Sequence, residues 1–190
     1  SKGYRKDSAG VWKLNQQDIK NIENGIANYI FYEKSGLEPR IYQIIWEIDY
    51  YLKGGNPDGH SVTQRFEYLK TGYSILQDHF WFGTGTGDIK KEFKQQYKED
   101  NSPLSKEHRR RTHNQYVTFF ITFGVFGFLW ILFAMFAPVY LQRKRACTLF
   151  FVTFALIAFI SMLSEDTLET QAGVTFFTFF YSLLLFGIQK

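Results

Sequence analysis

Charge in this chain all but stops at His113. From Asn114 onward the only charged residues are Arg143, Lys144, Arg145, Glu165, Asp166, Glu169 and Lys190. Residues 116–141 contain no charged side chain at all, and a helix needs roughly 20 apolar residues to cross a bilayer. Residues 146–163 form a second uncharged run, and residues 168–188, whose one charged side chain is Glu169, a third apolar one. A helix in a soluble core normally keeps a polar stripe. These runs are apolar all round and crowded with phenylalanine, which fits contact with lipid. The pattern predicts an all-α chain: a helical extracytoplasmic region over residues 1–113, then a membrane region over 114–190 with three transmembrane helices at about 115–141, 146–163 and 168–188.

Charge also predicts orientation. Arg143, Lys144 and Arg145 fill the tight connection between the first two apolar runs, and Lys190 follows the third. The positive-inside rule places that side in the cytoplasm, so residues 1–113 are expected outside it. Arg109, Arg110 and Arg111 argue the other way, but they end a long polar region, and long translocated regions obey the rule weakly. An extracytoplasmic region needs an export signal ahead of it. Ser1 to Lys6 offer no apolar signal segment, so the chain is expected to be part of a larger protein with further spans upstream.

The net charge of +4 does not make this a nucleic-acid binder. Such proteins set their basic residues on one face of a soluble fold, whereas one basic cluster here lies between apolar runs and the other just before one. A single cysteine, Cys147, excludes an internal disulfide. No His, Cys, Asp or Glu group has metal-ligand spacing.

The polar region reads as helical. Ile19, Ile22 and Ile26, then Ile41, Ile44, Ile45 and Ile48, recur at helical spacing, which predicts helices over residues 15–34 and 38–53. Residues 54–59 (Gly-Gly-Asn-Pro-Asp-Gly) break the chain. Further helices are predicted over 61–80 and 89–98, separated by the glycine-rich residues 83–87. The tyrosines and tryptophans of this half suit a membrane interface.

His113 and Asn114 stand where polarity ends. On a continuous helix His113 and Gly124 would lie roughly 20° apart, with Gly127 near the same face, and small residues let another helix approach. A titratable group at a protein-lined membrane boundary is a functional candidate; the plainer reading is a histidine that anchors the helix end. Gly83, Gly85 and Gly87 are open to two readings, an anion-binding nest or a tight turn. Asp166 and Glu169 have the spacing of a helix-capping pair, which is the first reading of this turn; Glu165 and Asp166 could instead hold an acceptor sugar or Arg65. His60 sits in the breaker and reads as a solvated loop histidine.

His113-Asn114, then nine residues, then Gly124-Val125-Phe126-Gly127 resembles the signature of the O-antigen ligase and polysaccharide polymerase superfamily. The segment from Arg65 into the glycine loop at 82–87, and the connection at 164–171, are similar to the same superfamily. The resemblance implies a polytopic, GT-C-like helical fold in the bacterial inner membrane, with residues 1–113 on the periplasmic side. It implies a membrane glycosyltransferase that moves a glycan from a polyprenyl-pyrophosphate donor to a hydroxyl on lipid A core or on another glycan, inverting the anomeric centre without metal or cofactor. His113 and Arg65 are then the expected catalytic residues, and Asn114, Arg40 and Arg111 the expected substrate-binding ones. The chemistry is consistent: histidine is the side chain suited to accept a hydroxyl proton near neutral pH, and arginine can hold a pyrophosphate through paired hydrogen bonds. A ligase is the first expectation and a polymerase the second. A transporter or a non-catalytic envelope assembly protein is the alternative class, although the three runs carry none of the charged or broken midplane elements of transporters.

Overall fold

The structure is a computed structural model that describes residues 7–187 apart from Ala27, Tyr29 and Ser35. Its described residues form helices and no strands. They divide into two compact units, Ser1–Gly55 and Asn56–Lys190.

The first unit contains α1 (Ser8–Val11), α2 (Gln16–Glu23), α3 (Ile30–Glu33) and α4 (Leu37–Leu52). The single helix expected over 15–34 is broken. Asn15 and Asp18 start α2 with a reciprocal capping box, and Asn24 ends it, followed by Gly25 at φ 80°. Along α4 the isoleucines Ile41 and Ile45 are exposed, and Trp46 stacks on Tyr50 with ring centroids 5.3 Å apart.

The second unit contains α5 (Ser61–Asp78), α6 (Ile89–Glu99), α7 (Gln115–Leu141), α8 (Arg143–Ala146), α9 (Leu149–Ser164) and α10 (Gln171–Ser182). A 3₁₀ turn at Thr167–Glu169 joins α9 to α10, and α10 runs on into a π-helical turn at Leu183–Gly187. Two apolar clusters hold the unit together. In the first, Ile75 of α5, Phe93 and Tyr97 of α6, Leu104 of the loop after α6 and Ile121 of α7 are buried together. In the second, Phe151 and Met162 of α9 meet Phe177, Tyr181 and Leu185. Polarity divides the chain at His113 and packing divides it at Gly55, because α5 and α6 bury their apolar faces against the first turns of α7.

α7 is not one straight rod. Gly124 sits at φ 65°, ψ −175°, a region open essentially to glycine alone. The glycine-rich loop after α5 fills this break. The Thr84 and Gly85 N–H groups donate to the Ile121 and Thr122 carbonyls (2.8 and 2.9 Å), and the Val125 N–H donates to the Phe80 carbonyl (2.8 Å). The freed backbone groups are therefore satisfied by protein, the condition for irregular backbone beside a membrane. Tyr116 donates to the Phe159 carbonyl (3.1 Å) and Phe136 stacks on the Phe159 ring at 5.3 Å. In a straight helix those α7 positions would stand about 30 Å apart, so the break bends α7 toward α9.

This corrects two sequence expectations. Gly124 receives a loop rather than another helix, and a Cβ on Gly127 would meet Phe123 of its own helix. The shared face of His113 and Gly124 does not exist, because α7 starts at Gln115, after His113, and is interrupted at Gly124 itself.

Among the described residues α7 is the one helix long and apolar enough to cross a membrane, and it is mostly exposed. α9 begins at Leu149 rather than at 146 because Arg143–Ala146 forms its own turn. α9, and α10 with its π-helical turn, are apolar but shorter than that length. The half of α7 beyond Gly124 is about 25 Å long at 1.5 Å per residue, close to the about 24 Å of α9.

A Cβ on Gly124 would stand 2.3 Å from the Trp81 carbonyl oxygen, and one on Gly83 would stand 2.4 Å from the Thr122 backbone. Gly124→Ala is expected to destabilise the protein by roughly 3 kcal/mol or more, the backbone strain alone contributing about 1–3 kcal/mol. Gly85→Ala, where φ is 82° but nothing lies within 4 Å, should cost only about 1–2 kcal/mol. Thermal unfolding of the detergent-solubilised variants checks the difference; equal losses would mean that the loop does not splint α7.

Candidate functional site

The candidate residues of the second unit meet at the polar end of α7. Asn114 is the N-cap: its Oδ1 accepts from the Tyr116 and Val117 N–H groups (3.1 Å each), and its Nδ2 donates to the Leu163 carbonyl at the end of α9 (3.1 Å). Both ends of this amide, expected to bind substrate, are occupied by protein. His113, one residue earlier, is at φ 48°, which turns its imidazole off the helix. The ring lies 5.7 Å from that of Tyr68 on α5. Close packing fixes this approach: a Cβ on Gly72 of α5 would meet the Thr112 Cγ2 at 2.6 Å.

Tyrosines anchor the segment that leads to His113. Tyr68 donates to the His108 carbonyl (2.9 Å) and Tyr97 to the Arg110 carbonyl (2.6 Å). Burial pushes both phenols above their ordinary range, so they stay protonated as donors.

The turn between α9 and α10 supplies carboxylates. Glu165 Oε2 stands 3.3 Å from His113 Nδ1, and its Oε1 stands 3.4 Å from Arg65 Nη2. Arg111 pairs with Glu169 and lies 4.0 Å from Asp166. Asp166 in turn accepts from the Thr118 hydroxyl (2.7 Å), whose oxygen lies 3.0 Å from that of Thr112. Asp166 and Glu169 are therefore not the capping pair of α10. Thr170 is the cap, its hydroxyl accepting from the Gly173 N–H (3.1 Å).

His113, Arg65 and Arg111, residues separated by up to 100 positions from their carboxylate partners, are thus brought together. Arg40 is in the first unit, where its Nη1 donates to Gln43 (3.0 Å). His60 immediately precedes α5 and makes no side-chain cap there. The loop at 83–87 is not an anion nest where it meets α7, since the Thr84 and Gly85 N–H groups are used by α7 carbonyls. Tyr68 and Gly72 carry no role legible in the sequence, and Arg65 is there only an alternative partner for Glu165. Only the glycine carried a signal, as a small residue inside a helix.

A cleft of about 810 Å³ opens beside His113, between α6 and the segment that precedes α7, with Asp166 on its wall. Its lining is strongly basic. Arg109 is held by protein, donating to the Leu104 carbonyl (2.9 Å) and lying over the Tyr97 ring at 5.6 Å.

An all-helical chain whose long apolar helix carries histidine, arginine and carboxylates at its polar end has the layout of a membrane protein with a site at one face. A family model described as O-antigen ligase matches residues 15–132, more than half of the chain, and the chain belongs to that family. Its members are bacterial membrane proteins that process glycans. No curated protein and no solved structure matches the chain. The match includes Arg40, Arg65, His113, Asn114 and Gly124 and ends before the acidic turn.

Asn114→Ala removes a cap, worth about 1 kcal/mol, and the tether to α9. Asn114→Asp keeps an accepting oxygen for the cap and loses only the donor to Leu163. Thermal unfolding should rank wild type above Asn114→Asp above Asn114→Ala, and an Ala variant as stable as wild type would remove the capping role.

Proposed function

We propose that this chain forms the acceptor-activating and phosphate-holding part of a glycosyltransferase of O-antigen ligase type. It transfers a glycan from a polyprenyl pyrophosphate to a hydroxyl acceptor. In this reading α7, α9 and α10 lie in the bacterial inner membrane and the polar end of α7 faces the periplasm.

The observation that carries the reading is the chain Arg65, Glu165, His113, with separations of 3.4 and 3.3 Å. A carboxylate at Nδ1 selects the tautomer that keeps the proton there and leaves the Nε2 lone pair free. Nε2 takes the proton of the acceptor hydroxyl. The oxygen attacks the anomeric carbon from the face opposite the pyrophosphate. The bond from that carbon to the phosphate oxygen breaks, its electron pair leaves with the pyrophosphate, and the configuration inverts. Arg65 stabilises the charge that develops on the leaving group. Its contact with Glu165 is exposed, and exposed ion pairs contribute only about 0–1 kcal/mol, so a phosphate can displace the carboxylate. Arg111 is a second phosphate contact from the cleft side, and Asn114 positions His113 by fixing the start of α7 against α9.

His113→Ala and Arg65→Ala, each checked for membrane insertion, are expected to abolish visible surface glycan. The transfer rate should fall roughly 10²–10⁴-fold for the histidine and 10²–10³-fold for the arginine. Normal glycan in both variants would end the enzyme reading. Purified polyprenyl-pyrophosphate glycan, offered with lipid A core or with a second glycan chain, separates ligase from polymerase by which product forms.

A further inference from the structure

The basic cleft holds more cations than a pyrophosphate can use. On α6, Ile89, Phe93 and Tyr97 form the buried row, and Lys90, Lys94 and Lys98 form the adjacent exposed row that lines the cleft. Lys106 and Arg110 line it too. None of these five side chains makes an ion pair or a hydrogen bond among the described residues. The lysine row alone extends about 12 Å along the helix axis. The two phosphates of a pyrophosphate sit side by side and reach one end of such a row only. Cations spaced over two helical turns, with their charge unmatched, suit a ligand whose negative charges are likewise distributed along its length.

A bilayer surface fits less well. Surfaces that dock on lipid pair their basic residues with apolar anchors, and between Phe82 and Phe123 no large apolar side chain is exposed. The cleft is concave, and it ends at His113 and Asp166, where the transfer chemistry is placed.

We propose that this cleft is a binding site for an acidic oligosaccharide, one bearing carboxylate or phosphate groups on successive sugar units, and that it leads such a chain to His113. The proposal rests on the glycan-transfer reading for its direction, but binding itself needs no transfer.

The test measures binding of fluorescently labelled hexagalacturonate and of maltohexaose, a neutral chain of the same length, to the detergent-solubilised full-length protein. Hexagalacturonate should bind, and its affinity should weaken as salt rises from 50 to 200 mM because the contacts are solvent-exposed charges. Maltohexaose should not bind. Lys90→Gln/Lys94→Gln/Lys98→Gln should reduce the hexagalacturonate affinity at least tenfold; Lys94→Glu alone, a single exposed change, should reduce it severalfold. Equal binding of both sugars, or unchanged binding in both variants, overturns the proposal. So does loss of hexagalacturonate binding altogether alongside capture by phosphatidylglycerol vesicles that the triple variant loses, which would assign the cleft to a lipid surface. Arg65→Ala, at a residue that does not line the cleft, separates the two readings: it should leave hexagalacturonate binding intact while abolishing transfer. Normal glycan with intact binding would sink the transfer mechanism and leave the site standing.

Discussion

Two backbones touch at Gly83 and Gly124, and the second unit is organised around that contact. A Cβ on either residue would stand closer than 2.5 Å to backbone of the other segment. Glycine is therefore needed on both sides at once, and at Gly124 the φ/ψ pair demands it independently. The contact converts a helix break into three hydrogen bonds. It also makes the helix that carries Arg65 continuous, through its loop, with the helix that begins after His113. Arg65 and His113 sit on opposite sides of a splinted joint, not on two independently moving rods. The half of α7 beyond the joint keeps its apolar surface exposed and is free to face lipid.

Around that joint the charges are arranged asymmetrically. The turn at 165–169 presents three carboxylates to three cationic or titratable partners: Glu165 to Arg65 and His113, Glu169 to Arg111, and Asp166 to Arg111 at longer range. The Arg65 and Glu165 side chains are about half exposed, at 46% and 57%, whereas those of Arg111 and Glu169 are less so, at 26% and 28%. Screening weakens the first pair more than the second. The more exposed pair is thus the easier to exchange for a substrate phosphate, and the less exposed pair the better suited to hold the turn in place. In the proposed transfer this gives Glu165 two tasks: it orients the histidine, and it shields the arginine until a phosphate replaces it.

The parts of this arrangement that depend on local pattern were legible in the sequence. The apolar run of α7 announces a helix with its boundaries at the charge change, and Arg65 and His113 stand out by their resemblance to a known motif. His113 and Gly124 share no helical face, because His113 lies outside α7 at φ 48° and Gly124 interrupts it. The interruption depends on a loop some forty residues upstream, and periodicity carries no information about that. The family resemblance makes Asn114 an expected substrate contact. Its neighbours at Tyr116, Val117 and Leu163 instead use both ends of the side chain. Glu165 was seen as a possible partner of Arg65, but spacing offers no way to rank that contact, 100 positions away, above local capping.

Whole-chain charge conceals where the basic character lies. Residues 90–111 contain eight Lys or Arg and four Asp or Glu, so this stretch alone accounts for the net +4 of the chain, and the remainder is balanced. The same 3.6-residue period that buries Ile89, Phe93 and Tyr97 places Lys90, Lys94 and Lys98 in the next row. The apolar row fixes α6 against α5, and Tyr97 ties it to the segment of Arg110. The lysine row consequently faces the cleft beside His113 instead of pointing wherever a flexible loop would leave it. A helix held for solvation alone would gain from interspersed acidic residues that pair with its lysines. Among the described residues α6 keeps this row without ion pairs, along the cleft that His113 also lines, and that unmatched charge is the structural reason to look for an acidic chain in the cleft.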